Sequence, residues 1–281
     1  LIDAKANIHH TDDAEMTALH SAAQNGHTTV MKQLLDARAA IDAIACHDDT
    51  PLHMAVEEGH HTAVQLLVDA KAALHKKSWR GKTALQLAVD AGRCETVRIL
   101  LEAKAATGAQ LNNILRDAVF DGYFSIVRTL VECKASLDVQ DTSGSTMLHS
   151  AVENGETDAV DTLIEVKATL DLVDQYRCTP LHWAILHDYS DGVQRLVDAK
   201  AALDIKDNQQ KTPLHYAVAD SNLCSILCLV DAKASVDVTD DTGATPLHIA
   251  AGLDDSEVIE LLLHAFESLD EPWVKEMRRS E

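Results

Sequence analysis

The tetrapeptide Thr-Pro-Leu-His occurs four times, at Thr50 to His53, Thr179 to His182, Thr212 to His215 and Thr245 to His248. Near copies stand at Thr17 to His20, Thr83 to Gln86 and Thr146 to His149. Successive threonines lie 33 residues apart, except for one gap of 63 between Thr83 and Thr146. That gap hides a degenerate unit, in which Asn113 to Arg116 takes the place of the motif. A second ladder keeps the phase: Lys5, Arg38, Lys71, Lys104, Lys134, Lys167, Lys200 and Lys233, with a single step of 30. A period of this length signals stacked supersecondary units, each leaving an apolar face that only its neighbours can cover.

Local signals give the unit its shape. Threonine can cap a helix whose first position is proline, where the missing N–H does no harm. The run from Thr50 to Gly59 then reads as a short helix ended by glycine. Val64, Leu67 and Val68 follow at helical spacing on a second helix. Between units, Asp141 to Gly144 and Asp240 to Gly243 are turn signals.

The chain resembles the ankyrin-repeat family, whose unit has 33 residues and the pattern Thr-Pro-Leu-His-x-Ala. The matching alanines are Ala22, Ala55, Ala88, Ala118, Ala151, Ala184, Ala217 and Ala250. The resemblance implies an all-α solenoid of stacked helix-turn-helix units with short β-hairpin fingers. Eight units are expected, at 9–41, 42–74, 75–107, a degenerate 108–137, 138–170, 171–203, 204–236 and 237–269. The tail of a truncated unit is expected at 1–8, since the chain opens at Leu1, and a cap or tail at 270–281, where Pro272 breaks the pattern and Trp273, Val274 and Met277 could fold back. The motif histidines are implied to tie successive units together by hydrogen bonds.

Charge narrows the partner class. Asp and Glu number 45 against 24 Lys and Arg, a net charge of -21, which disfavours nucleic acid and anionic membrane surfaces because both need a positive footprint. No apolar run approaches a membrane span of roughly 18 residues. The six cysteines are scattered without a C-x-x-C pair, which suits buried thiols in a reducing, intracellular compartment, the cytoplasm first.

Two departures from the family pattern stand out. The glycine that usually ends the second helix is Lys or Arg in all eight instances, with an acid two residues earlier (Asp3, Asp36, Asp69, Glu102, Glu132, Glu165, Asp198, Asp231). A ladder of paired charges along one edge is expected, either as a docking stripe or as helix capping by cations near the last carbonyls. The degenerate unit has a short finger region, Ala105 to Asn113, and a cluster of Phe120, Tyr123 and Phe124. A notch, a bend, a partner seat and an eroded repeat are all open readings.

No motif carries chemistry. Gly81-Lys82-Thr83 resembles the end of a phosphate-binding loop, yet Lys76 stands where the earlier glycine belongs and no strand precedes it. The 15 histidines follow the repeat or lack zinc-type spacing, and Cys224 with Cys228 reads as buried core. Acids recur with the repeat, and no activated nucleophile or cofactor loop is present. The chain is read as no enzyme, with no cofactor and no metal.

Ankyrin arrays, by the resemblance, bind with finger tips and the first-helix face of a concave groove. By phase, finger positions include Asp49, Trp79, Arg80, Tyr176 and Arg177, and first-helix positions include Glu57, Glu58, Asp90, Phe120 and Asp121. Trp183 and Tyr216 stand beside the motif histidine; they could anchor a partner together with Tyr176, or pack between helices. Glu57, Glu58, Asp90 and Asp121 make the first half acidic, so a protein partner with a basic segment and salt-sensitive association is expected. The leading expectation is a non-catalytic interaction scaffold. A structural subunit of a permanent assembly and a regulatory module of a longer enzyme or channel remain alternatives, and self-association stays open.

Overall fold

The computed structural model describes residues 7–268. The truncated leading unit, apart from Asn7 and Ile8, and the C-terminal cap at 270–281 lie outside the described residues, as do Asp3 and Lys5 of the ladders. The chain divides into two compact units, 1–136 and 137–281.

Helices α1 (Ala18–Gln24), α2 (Thr28–Asp36), α3 (Pro51–Glu57), α4 (His61–Asp69), α5 (Ala84–Asp90), α6 (Cys94–Glu102), α7 (Ala109–Phe120) and α8 (Phe124–Glu132) build the first unit. The odd-numbered helices stack in one row and the even-numbered in another. The second unit repeats the arrangement with α9 (Met147–Glu153), α10 (Thr157–Glu165), α11 (Pro180–Leu186), α12 (Ser190–Asp198), α13 (Pro213–Ala219), α14 (Leu223–Asp231), α15 (Pro246–Gly252) and α16 (Ser256–Ser268). Leu52 and Leu85 in the first unit, and Leu148, Leu181 and Leu214 in the second, are buried with the alanines that follow them along the odd-numbered helices of their own unit. Small alanines there let short helices approach closely.

Each motif closes its own helix and reaches the next unit. In α3 the His53 N–H donates to Thr50 Oγ1 at 3.5 Å, while the Thr50 N–H donates to His53 Nδ1 at 3.2 Å. This is a capping box with imidazole in place of a carboxylate. Because Nδ1 accepts, the neutral ring carries its proton on Nε2, which donates to the Lys76 carbonyl at 3.1 Å. His20, His149, His182 and His215 repeat the bond to Asp49 (and Ala43), Cys178, Lys211 and Ala244. Burial lowers the pKa of all five imidazoles, against a smaller opposing effect of these carbonyls. At α5, Gln86 substitutes, its Oε1 accepting from the Thr83 N–H at 3.0 Å.

The cations that end the second helices are left-handed: φ is 67° at Arg38 and Lys71, 70° at Lys200 and 71° at Lys233. Lys71 N–H donates to the Val68 carbonyl and Ala72 N–H to that of Leu67, the paired bonds of a Schellman turn. Among the described residues, the expected ladder of paired charges does not form with the acids two residues earlier. Positions two apart on a helix do not face each other, and Asp69 and Asp198 accept instead from Gln65 and Gln194 one turn before.

A ladder not anticipated from sequence ties the finger bases. Asp42, Asp138, Asp171 and Asp204 each accept, through Oδ1, a backbone N–H 31 residues on, from Ala73, Thr169, Ala202 and Ser235. In the degenerate unit Asn112 performs this task for Ser136. There the short finger has become helix: α7 has 12 residues where its counterparts have 7, starting after Gly108 at φ 53°. Leu111, Ile114 and Leu115 bury the extension.

The fingers contain no named strands among the described residues. Only the isolated bridges Thr11 to Thr17 and Lys77 to Thr83 are present, so the β-hairpin expectation reduces to turns. Gly81 and Lys82 belong to the second of these fingers, where the Ser78 N–H donates to the Lys82 carbonyl. The cysteine expectation is also corrected. Cys178 is buried, but Cys224 is exposed and Cys228 half-buried, because α14 turns Ser225, Ile226 and Leu229 inward and leaves the opposite face outside.

Candidate interaction site

In the second unit the finger turns are built around aspartates. Asp174 Oδ1 accepts from the Tyr176 and Cys178 N–H groups at 2.9 and 2.8 Å, and Asp207 Oδ1 from those of Gln209 and Lys211 at 2.8 Å each. Asp141 and Asp240 close equivalent turns. Only at Asp174 and Asp207 does the second oxygen take an aromatic side chain nine residues on. Trp183 Nε1 donates to Asp174 Oδ2 at 3.0 Å, and the Tyr216 hydroxyl to Asp207 Oδ2 at 2.5 Å. Both carboxylates are buried.

These links place the rings around one hollow of about 280 Å³, lined by Tyr176, Cys178, Trp183, Leu186, His187, Asp207, Asn208, Gln209 and Tyr216. Trp183 stacks on His187 with centroids 5.3 Å apart and planes 6° from parallel. Tyr216 meets His182 edge-on at 6.1 Å, and the Lys211 ammonium lies 5.4 Å from the Tyr216 centroid. Tyr176 is 58% exposed at the rim and Leu186 45%. The Cys178 thiol is pushed up to about 12 by burial and by Asp174 and Asp207, so it is no thiolate nucleophile at neutral pH. Burial and the bond to Asp207 raise Tyr216 as well.

Sequence reasoning thus brought Tyr176, Trp183 and Tyr216 to one place, while Arg177 is exposed nearby at φ 63° and does not line the hollow. Trp183 and Tyr216 are half-buried, each tethered at its polar end to a finger aspartate, with its ring on the lining of the hollow. The tethering aspartates were not singled out. Their signal was present as an Asp nine residues before an aromatic, in two units only.

The first unit is organised differently. Trp79 is 57% exposed, 5.7 Å from the His47 ring, with the Arg80 guanidinium 5.1 Å from its centroid. Arg80 pairs with Glu57 at 3.9 Å and Lys82 with Asp90. Two of the four acids expected to select a basic partner are therefore engaged by the finger's own cations. Glu58 and Asp121 are exposed at the ends of α3 and α7, and Phe120 is half-buried beside Asp121. Asp49, expected at an exposed finger position, is buried, with Oδ1 unpartnered and its pKa raised by burial.

The family model for ankyrin repeats matches residues 1–78, 45–114, 115–207 and 190–271. The chain belongs to the ankyrin-repeat family. No curated protein matches it significantly. Ankyrin repeats are generally protein–protein interaction modules, and the fold of this ankyrin chain is the all-α stack of that family. Among its described residues no helix is long and apolar enough to cross a membrane, and no group of three or more His, Cys, Asp or Glu could hold a metal ion.

Proposed function

We propose that this ankyrin chain is a non-catalytic scaffold that holds a segment of a partner protein along its fingers and first-helix row. The observation that carries the reading is the hollow where Tyr176, Trp183 and Tyr216 converge from adjacent repeats. Aromatic anchors in a partly desolvated recess are favoured hot spots. A net charge of -21, with Glu58 and Asp121 exposed, favours a basic segment over nucleic acid or an acidic partner. Six free thiols suit a reducing cytoplasm.

The test is affinity capture from source-cell lysate at low and high salt, with the intact chain beside a Trp183→Ala/Tyr216→Ala version whose helicity and unfolding midpoint are unchanged. A partner lost in the variant and weakened by salt supports the reading. A partner indifferent to both sinks it.

A second reading has its own observation. On the second-helix row, Leu227 (47% exposed) lies beside Cys224, and Leu263 is 46% exposed on α16. Exposed leucines on that row offer contacts for permanent incorporation into a larger assembly. Salt-insensitive association abolished by Leu227→Lys would favour it.

A further inference from the structure

The hollow in the second unit has an unusual electronic arrangement. Each of its two tethered rings donates its one polar hydrogen to a buried carboxylate: Trp183 to Asp174 and Tyr216 to Asp207. A donor bonded to an anion pushes electron density into its ring, which deepens the negative potential over the ring face. Tyr176 adds a third ring at the rim. The Lys211 ammonium 5.4 Å from the Tyr216 centroid shows a cation already drawn to that ring, and Lys211 does not line the hollow itself.

The hollow is poor in hydrogen-bond acceptors. Asp207 uses Oδ1 for two backbone N–H groups and Oδ2 for the Tyr216 hydroxyl. Cys178 is a protonated thiol. The remaining side-chain acceptors on its lining, apart from the tethered Tyr216 hydroxyl, belong to Tyr176, His187, Asn208 and Gln209, all of them exposed to water. An ammonium brings three N–H donors and a guanidinium five, and donors buried without partners are costly. A quaternary ammonium brings a positive charge and no N–H at all. Aromatic faces in a negative field are what such a group requires.

We propose that this hollow receives a quaternary ammonium, the trimethylated side chain of a lysine in the partner segment. The inference rests on the partner-segment reading above, and names the side chain that the recess takes. The methyl groups fill the space between Tyr176, Trp183 and Tyr216. The charge is balanced by Asp207 and Asp174 acting through the rings. Leu186 at the rim covers the aliphatic stem.

The chain contains three tryptophans, Trp79, Trp183 and Trp273, so its indole N–H resonances separate readily and Trp79 serves as an internal control. The experiment titrates the full chain with N-acetyl-trimethyllysine amide, with the lysine and arginine equivalents, with the neutral tert-butyl isostere of trimethyllysine, and with free choline. The Trp183 indole is expected to shift with the trimethyllysine probe at millimolar concentration, about tenfold more tightly than with lysine, arginine or the neutral isostere. Tyr216→Phe, which keeps the ring and removes the tether, should weaken binding severalfold. Choline binding as tightly as the amino-acid probe would overturn the assignment to a protein side chain, in favour of a free small cation. Equal binding of the neutral isostere would overturn the charge argument, and equal binding of lysine or arginine the argument from acceptors. No shift at Trp183 in the folded chain would end the proposal. Partner capture that still depends on Trp183 and Tyr216 would then leave the scaffold reading standing.

Discussion

His149 Nε2 lies 3.1 Å from the carbonyl oxygen of Cys178, 29 residues along the chain. The same ring accepts the Thr146 N–H on Nδ1 at 3.1 Å. Protonating Nδ1 would set two donors against each other, so the cap bond within the repeat holds only for the neutral ring, whereas the Nε2–H donates to Cys178 in either state. All five buried motif histidines have pKa values lowered by burial. The unfolded chain therefore takes up protons first. Stability is complete above about pH 6.5, the unfolded value, and falls as pH drops below it. The limit is about 1.4 kcal/mol per pH unit for each histidine until its folded value is passed.

Gln86 supplies the control, because it caps α5 through an oxygen that does not titrate. His53→Gln is expected to cost little at the cap and to flatten the acid dependence of the first unit. Urea midpoints at pH 7.5 and 5.5, followed by Trp79 fluorescence, measure it. An unchanged slope in the variant would place the acid sensitivity elsewhere.

The left-handed cations give a prediction of opposite sign. Lys71 and Lys200 hold φ values of 67° and 70°, a conformation costing a non-glycine residue roughly 1–2 kcal/mol. A cation near the last carbonyls recovers about 0.3–1 kcal/mol. Lys71→Gly and Lys200→Gly should each raise stability by several tenths to about 1 kcal/mol. A lower midpoint in denaturant would mean that the lysines do more than end the helix.

Most of the stack was legible because its causes are local and repeat. Thr50, Pro51 and His53 announce a cap, a first turn and a tie to the next unit, and the structure places each accordingly. What escaped depends on where a side chain points. The acid at Asp69 looked like a partner for Lys71 in sequence, but a helix turns residues two apart away from each other. Residues 105–113 looked like a shortened finger, yet Leu111, Ile114 and Leu115 were already at helical spacing and extend α7 backwards. At the hollow the aromatics could be found by phase. The carboxylates behind them were passed over, because Asp174 and Asp207 share their position with the turn aspartates Asp141 and Asp240, and only the aromatic nine residues on sets them apart.

Two glycines with the same backbone separate strain from contact. Gly144 has φ 79° and Gly243 φ 81°. A Cβ on Gly144 would lie 3.0 Å from the Gln175 nitrogen and 3.1 Å from Asp174 backbone atoms, whereas one on Gly243 meets nothing within 4 Å. Gly243→Ala should cost about 1–2 kcal/mol from conformation alone. Gly144→Ala should cost more, since the backbone of the next finger must move. Thermal midpoints compare the two, and equal losses would remove the contact from the account.

The pairing of Trp183 with Asp174 can be measured directly. Asp174 is buried, with Oδ1 committed to the turn and Oδ2 to the indole. In Asp174→Asn, keeping the carbonyl in the turn points the amide group at the indole N–H, donor against donor. A loss of about 1–3 kcal/mol is expected, together with a change in Trp183 emission. Trp183→Phe removes the stranded donor, so the double variant should recover part of that loss. The cycle would then show a coupling of at least about 0.5 kcal/mol. Additive effects would mean that the two side chains are neighbours without being partners, and the electron-rich ring on which the hollow depends would lose its cause.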